Sequence, residues 1–255
     1  MIEILSPARL PRAREAGALV AHVLARPGYE DVTTLNPVVG ETNDGHLSDV
    51  RARAVGAEHV EEALATARGG RVVEGCVGAG TGTTALGYKG GIGTSSRLVE
   101  LAGRTVTVGA LVQSNMDGVL TVAGVPLPSA DLVGAPPGRT VGNSCMIVVA
   151  TDAPLDARQL GRVSRRAVFA MARVGADFAQ GSGDYAVAFS VGTGPPPADE
   201  DLDPVFGSTM DAVEEALLNS VLAATTTQGR DGRTVLGVPG DAVRERLRRA
   251  GVLMA

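Results

Sequence analysis

Residues 142–150 of this chain read GNSCMIVVA, a turn-forming pair followed by a hydroxyl residue and an apolar run. Such a run is typical of a buried strand, so Ser144 is predicted to stand where that strand begins. A hydroxyl at this point can attack the carbonyl of Asn143, cut the chain, and become the first residue of a new fragment. The freed α-amine, with a reference pKa of about 7.7–8.0, can then act as the base for the Ser144 hydroxyl. The pattern predicts a nucleophile that needs no histidine, and none of the three histidines lies in a nucleophile motif.

The same residues also have simpler interpretations. Asn followed by a small residue is common in surface turns and in bends that lead into strands. Cys145 could be taken for a thiol nucleophile, but no motif pairs it with a histidine. We therefore expect Cys145 to be a small buried strand residue.

Five further motifs surround this stretch. They read PVVGETNDG at 37–45, EGCVGAGTG at 74–82, KGGIGTSSR at 89–97, LVQSN at 111–115 and GSGDY at 181–185. In this order they closely resemble the self-cleaving serine aminopeptidases of the DmpA family, or L-aminopeptidase/D-esterases, which include the β-peptidyl aminopeptidases. The resemblance covers residues 35–237 and implies cleavage between Asn143 and Ser144, followed by catalysis on Ser144 without a cofactor.

Strand and helix patterns alternate along the chain, which predicts a layered α/β or α+β domain. Strands are predicted over residues 35–40, 71–77, 144–150 and 185–191, and helices over 12–26, 57–68, 155–174 and 207–226. Residues 105–112 and 119–125 are predicted to form a hairpin, and residues 78–93 a long Gly-rich loop.

The resemblance makes the fold more specific. It implies a four-layer α-β-β-α sandwich of the DmpA/ornithine acetyltransferase-like type, with the nucleophile at the start of an inner strand. Residues 1–255 are then expected to form a single peptidase domain, processed into 1–143 and 144–255. Family members begin with several strands before the helix that matches residues 12–26. Three explanations stay open here: the fold is completed by fewer strands, the assigned start is too late and the chain is truncated at its N-terminus, or the protein is a degraded relative.

The amino-acid composition disfavours some classes of binding partner. The chain has 255 residues, a net charge of −5 and only 3% aromatic residues, which disfavours nucleic acids and anionic membranes. Two cysteines, Cys76 and Cys145, do not make a disulfide scaffold, and no apolar stretch is long enough to cross a membrane. No secretory signal is recognisable at the N-terminus, so a cytoplasmic location is expected.

Ser182 and Asp184 are candidates to hold the Ser144 hydroxyl and its α-amine in reactive geometry. They stand two residues apart, so both face one side if the segment is extended. The alternative is an ordinary turn capped by its own side chains. The resemblance matches the two positions to a catalytic Ser and an acidic residue, commonly Glu. The side chain of Asp184 is one methylene shorter than that of Glu, so whether its carboxylate reaches the same position stays open.

Asn115 follows a predicted strand, where a side-chain amide can donate to a developing oxyanion. The resemblance places the oxyanion-hole Asn of the family at this residue, and a turn-forming Asn is the alternative. Glu41 and Asp44 are candidates to bind the ammonium group of a substrate, although a solvated acidic turn fits them equally well. Some family members carry a Tyr that assists catalysis where this chain has Asn43, so the role of Asn43 stays open.

Other sites are disfavoured. Residues 78–82 resemble a phosphate-binding loop, but Lys89 is flanked by Tyr88 and Gly90 and the Gly-Lys-Ser/Thr pattern is missing. In the family this loop lines the substrate pocket, where glycine permits close backbone approach. The scattered histidines and cysteines make no metal site, so neither a metal nor a cofactor is expected.

Three functions remain open at this point. The first is a self-processing serine hydrolase that releases N-terminal residues from short peptides, amino-acid amides or esters. The second is an acyltransferase of related fold, in which the acyl group passes to an amine. The third is an uncleaved, truncated homologue that keeps only the scaffold. The family's oligomers also lead us to expect a homo-oligomer.

Overall fold

A computed structural model describes residues 3–4, 12–135, 144–181 and 183–254, with side chains given from residue 16 onward. The helices are α1 (Arg12–Leu24), α2 (Ala57–Thr66), α3 (Ser129–Val133), α4 (Ala157–Ala170), α5 (Asp203–Leu222) and α6 (Gly240–Arg249). The strands are β1 (Glu3–Ile4), β2 (Val39–Gly40), β3 (Thr84–Ala85), β4 (Tyr88–Lys89), β5 (Ile92–Leu101), β6 (Arg104–Gln113), β7 (Thr121–Val122), β8 (Val125–Pro126), β9 (Met146–Thr151), β10 (Tyr185–Ser190), β11 (Thr227–Gln228) and β12 (Thr234–Val235). Among the described helices, none combines the length and apolar character needed to span a bilayer.

The largest described sheet has four strands in the order β10-β9-β6-β5. Strand β6 runs antiparallel to both β5 and β9, whereas β9 and β10 are parallel. Parallel neighbours need a long crossover connection, and α4 lies in the segment between β9 and β10. The strand expected at 144–150 is therefore β9, and the helix expected at 155–174 is α4 followed by a 3₁₀ turn over Met171–Val174.

Helices α4 and α5 cover one face of this sheet. Alternate residues of the two central strands point into the core on that side, as the two-residue period of a strand requires. These buried side chains are Val106, Val108, Ala110 and Val112 on β6, and Ile147 and Val149 on β9. Helix α4 contributes Val163 and Ala167 from its apolar face.

The predicted hairpin between residues 105–112 and 119–125 is wrong, because β6 pairs with β5 instead. The two strands turn at Ala102 and Gly103, whose φ angles of 49° and 80° suit a two-residue hairpin turn. Ala-Gly is a weak turn signal, and β5 begins within residues that look like a Gly-rich loop. Gly93 is needed there because α5 packs directly on it: a Cβ would lie 2.0 Å from the Ala216 carbonyl oxygen.

The prediction of a strand over residues 71–77 is also wrong. Within that described segment, the backbone pairing is an isolated bridge between Gly75 and Ile92. The apolar pair Val72-Val73 is exposed, so it contributes no buried strand face.

The second face of the sheet lies away from α4 and α5. Met146 is on this face beneath β2, where a Cβ on Gly40 would lie 2.5 Å from the Met146 methyl carbon. Tyr185 is the register partner of Met146 and shares the face. Leu98, near the far end of β5, is 76% exposed there.

We expect shortening a side chain to alanine to change the free energy of unfolding very differently on the two faces of the sheet. Ile147→Ala removes a fully buried side chain between the sheet and its helices, so it should lower the free energy of unfolding by about 2–5 kcal/mol. Leu98→Ala, the matched control on the exposed face, should change it by less than about 0.5 kcal/mol. Urea denaturation followed by circular dichroism measures both, and equal losses would contradict this assignment of the core.

Candidate active site

Ser144 and Asp184 come together because the strands that follow them are paired. Ser144 lies two residues before β9 and Asp184 directly before β10, and these strands pair in parallel from Met146 and Tyr185. The Asp184 carboxylate accepts a 3.0 Å hydrogen bond from the Cys145 backbone N–H. Between them runs Gly183, where a Cβ would lie 3.4 Å from Ser144 Oγ.

Asn115 approaches Ser144 from the other neighbouring strand. Strand β6 pairs Gln113 with Met146, so continuing the antiparallel register by two residues places Asn115 opposite Ser144. Asn115 is buried; its Nδ2 donates to the Asn43 carbonyl oxygen at 3.1 Å, and its Oδ1 accepts from the Thr84 N–H at 3.1 Å. Because an amide nitrogen carries two hydrogens, Nδ2 retains one for a further acceptor.

The acidic loop at residues 41–44 is attached to the same strand end. Gln113 Nε2 donates to Thr42 Oγ1 at 2.8 Å, next to the contact between Asn115 and Asn43. Asp44 is buried, and this burial raises the pKa of its carboxyl. Glu41, on the same loop, is half-buried. The exposed Asn43 side chain accepts a hydrogen bond from the Gly45 N–H, which makes it part of a turn.

A buried lysine ties together two parts of the Gly-rich loop. Lys89 is the only lysine among the 23 lysine and arginine residues of the chain, and it is fully buried. Its ammonium donates to the carbonyl oxygens of Gly80 at 2.8 Å and Gly90 at 2.7 Å. Burial lowers the pKa of Lys89. Gln113 Nε2 donates to the Ala79 carbonyl oxygen at 3.0 Å, so the loop is fixed at two neighbouring residues.

Sequence reasoning missed the roles of Lys89 and Gln113. The available signal was the single lysine in a chain whose other lysine-or-arginine positions are all arginine. A compact ammonium can sit between two carbonyl oxygens where the larger planar guanidinium would not fit.

A cavity of about 330 Å³ opens between the acidic loop and the Gly-rich loop. Asp44 and Ser48 lie on one side of it, and Gly78, Ala79 and Gly82 lie on the other. The remaining lining is mostly small and apolar, from Val50, Ala52, Ala54 and Val55. No group of three His, Cys, Asp or Glu side chains suited to a metal ion occurs in the described part of the chain.

The structure therefore brings together Ser144, Asp184 and Asn115, with the loop that carries Glu41, Asn43 and Asp44 attached beside them. Asn143 and Ser182, which the sequence also predicts to belong to the site, lie outside the described residues.

A sequence model of Peptidase family S58 matches residues 11–235. The chain belongs to this family. The beta-peptidyl aminopeptidase BapA of Sphingosinicella xenopeptidilytica is 40% identical to this S58 chain over 235 residues. The match covers 81% of this chain and 58% of the relative, so the chain spans about three fifths of that relative's length.

Two solved structures are similar to the S58 chain over nearly all of its length. The PH0078 protein from Pyrococcus horikoshii OT3 matches 96% of this chain and 71% of its own, with a TM-score of 0.87 and 41% identity. The L-aminopeptidase D-Ala-esterase/amidase from Ochrobactrum anthropi matches 95% of this chain and 72% of its own, with a TM-score of 0.87 and 36% identity. The latter is a prototype of the serine aminopeptidases and a variant of the Ntn hydrolase fold. The predicted family resemblance and the α/β fold of DmpA type are thus confirmed.

The two cysteines of the S58 chain have opposite environments. Burial, followed by the nearby Asp184 charge, raises the pKa of the Cys145 thiol well above its usual range. Burial also acts to raise the pKa of Cys76, but hydrogen bonds with Thr227 and Thr225 and the charge of Lys89 outweigh it and lower the pKa.

We expect Cys76 to react with a thiol reagent in the folded chain and Cys145 to react only after denaturation, because the thiolate is the reactive form. Peptide mapping after iodoacetamide treatment at pH 8 measures each site. Cys76→Ser is the control and should abolish labelling of the folded protein. Rapid labelling of Cys145 in that variant would contradict the buried environment assigned to it.

Proposed function

We propose that this chain is a self-processing serine hydrolase that releases N-terminal residues from short peptides, amino-acid amides or esters. One observation carries the proposal: Ser144, Asn115 and Asp184 lie on three separate segments, and the pairing of β6, β9 and β10 brings them to one end of the sheet. Membership of a peptidase family and likeness to aminopeptidases support the same chemistry.

The first step of the proposed mechanism is cleavage of the chain itself. Ser144 Oγ attacks the carbonyl carbon of Asn143, and the bond from that carbon to the Ser144 nitrogen breaks as an ester forms on Oγ. Water then hydrolyses the ester, which leaves a carboxylate on Asn143 and a free α-amine and hydroxyl on Ser144. This amine titrates near neutral pH and is therefore a suitable base for its own side chain.

Turnover uses the same oxygen. The α-amine of Ser144 takes the hydroxyl proton as Oγ attacks the substrate carbonyl, and the remaining N–H of Asn115 donates to the oxyanion. The proton passes to the leaving amine or alcohol, an acyl-enzyme remains on Oγ, and water releases the acid. Glu41 and Asp44 are the proposed carboxylates for binding the ammonium group of the substrate.

Cleavage is directly measurable. The 255-residue chain should give two bands on denaturing electrophoresis, and terminal sequencing of the smaller one should begin at Ser144. Ser144→Ala should leave one intact band and abolish turnover of aminoacyl p-nitroanilides, because no hydroxyl remains to attack. Ser208→Ala, which changes a half-buried serine on α5, is the matched control and should still be processed.

The outcome separates the alternatives. An intact band and no turnover for the unaltered chain would leave only the hypothesis of an uncleaved homologue that keeps the scaffold. Faster release of p-nitroaniline with an added amine, together with a new amide product, would favour acyl transfer over hydrolysis. The expected homo-oligomer and cytoplasmic location stay predictions.

Asn115 offers a second test of the mechanism. Asn115→Ala should lower kcat about 10²–10³-fold, the usual loss for an oxyanion-hole donor, with a smaller change in KM. Asn115→Asp keeps an acceptor for the Thr84 N–H but removes the donor to the oxyanion and to the Asn43 carbonyl oxygen, so it should lose as much activity, and circular dichroism checks that the variant is folded. Wild-type kcat in the Asp variant would exclude oxyanion donation by this residue.

A further inference from the structure

Tyr185 is an exposed aromatic residue in a chain that has few of them. The sequence contains three Tyr, four Phe and no Trp. Tyr88 is fully buried and its hydroxyl donates to the Leu127 carbonyl oxygen, which is the ordinary structural use of a tyrosine. Tyr185 instead leaves 61% of its surface in contact with solvent, at the first position of β10.

The Tyr185 ring borders the same small space as the nucleophile. A Cβ built on Gly183 would lie 3.1 Å from ring atom Cε2 and 3.5 Å from the phenol oxygen of Tyr185. The same point is 3.4 Å from Ser144 Oγ. With no side chain at Gly183, the aromatic ring and the serine oxygen face each other across bare backbone.

The order of the strands suggests which groups of a bound substrate lie on each side of Ser144. Strand β9 lies between β6 and β10. Asn115 and the loop 41–44 attached to it are on the β6 side, so the oxyanion and the ammonium-bearing acyl group are drawn there. Tyr185 is on the β10 side. A leaving group that lies opposite the oxyanion and the acyl group would be on the β10 side.

We propose that Tyr185 is a specificity-determining residue that binds the leaving group, with its ring face favouring planar aromatic amines over other groups of equal size. This inference rests on the proposed function, since it needs an acyl transfer centred on Ser144. After the first product departs, the ring contacts whatever attacks the acyl-enzyme. Aromatic amines should therefore also compete best with water for the acyl group.

The test compares substrates that share one aminoacyl group and differ only in the leaving amine: an anilide, a cyclohexylamide and the unsubstituted amide. For the unaltered enzyme, KM should be about 3- to 10-fold lower for the anilide than for the cyclohexylamide, the range expected for one aromatic contact. Tyr185→Ala should remove this difference by raising KM for the anilide about 3- to 10-fold, with KM for the unsubstituted amide unchanged. Tyr185→Phe should retain the preference, because the ring face remains.

Phe169→Ala supplies the matched control. Phe169 is an exposed aromatic residue on α4, across the sheet from this site, and its removal should leave all three KM values unchanged.

Equal KM values for the anilide and cyclohexylamide in the unaltered enzyme would overturn the inference even if every Tyr185 variant failed to fold. An equal rise in KM for all three substrates in Tyr185→Ala would overturn the inference as well, because it would show a general structural effect. Either result leaves the proposed hydrolase intact if the unsubstituted amide is turned over. Absence of turnover on every substrate would refute both proposals.

Discussion

Strand β9 is hydrogen-bonded along both edges, and its register with the two neighbouring strands fixes both the core and the site. Met146 pairs with Gln113 on β6 and with Tyr185 on β10. A slip of one residue would turn Ile147 and Val149 out of the core, because successive side chains in a strand face opposite ways. The same slip would separate Ser144 from Asn115 and Asp184. The register that buries the apolar side chains on one face of the sheet therefore also determines which polar residues meet at its end.

The polar groups at that end are costly to bury. Lys89 places an ammonium group in the interior, where two carbonyl oxygens replace its hydration shell. Gln113 donates to two acceptors, yet its Oε1 is buried with no hydrogen-bond partner within the described residues. An unmatched acceptor of this kind costs about 1–3 kcal/mol. Such a cost is tolerable here because the hydrophobic layer beneath α4 and α5 is continuous and well buried.

The sequence was informative where its patterns were local. The apolar run after Ser144 predicted β9, and the spacing of Val163 and Ala167 predicted α4. Strand β5 was missed because its first residue, Ile92, is followed by Gly93, Thr94 and Ser95. They form a strand only because Gly93 accommodates the backbone of α5, which is a tertiary constraint. Ser144, Asn115 and Asp184 were candidates from their local patterns, each with a simpler alternative, and the family resemblance favoured the catalytic roles. The role of Gln113 depends on contacts with distant segments, and that of Lys89 depends on the folded shape of its own loop, so neither could be found from spacing alone.

The shorter acid at position 184 has a physical explanation in these contacts. Asp184 reaches the backbone N–H of Cys145, the residue directly after the nucleophile, at 3.0 Å. Tyr185, the next residue along, donates its own N–H to the Cys145 carbonyl oxygen at 2.9 Å. Both polar groups of the Cys145 backbone are thus held by consecutive residues at the start of β10. A longer glutamate would not need to stand so close to reach the same N–H. The aspartate therefore suits a site in which the β10 backbone approaches the nucleophile closely.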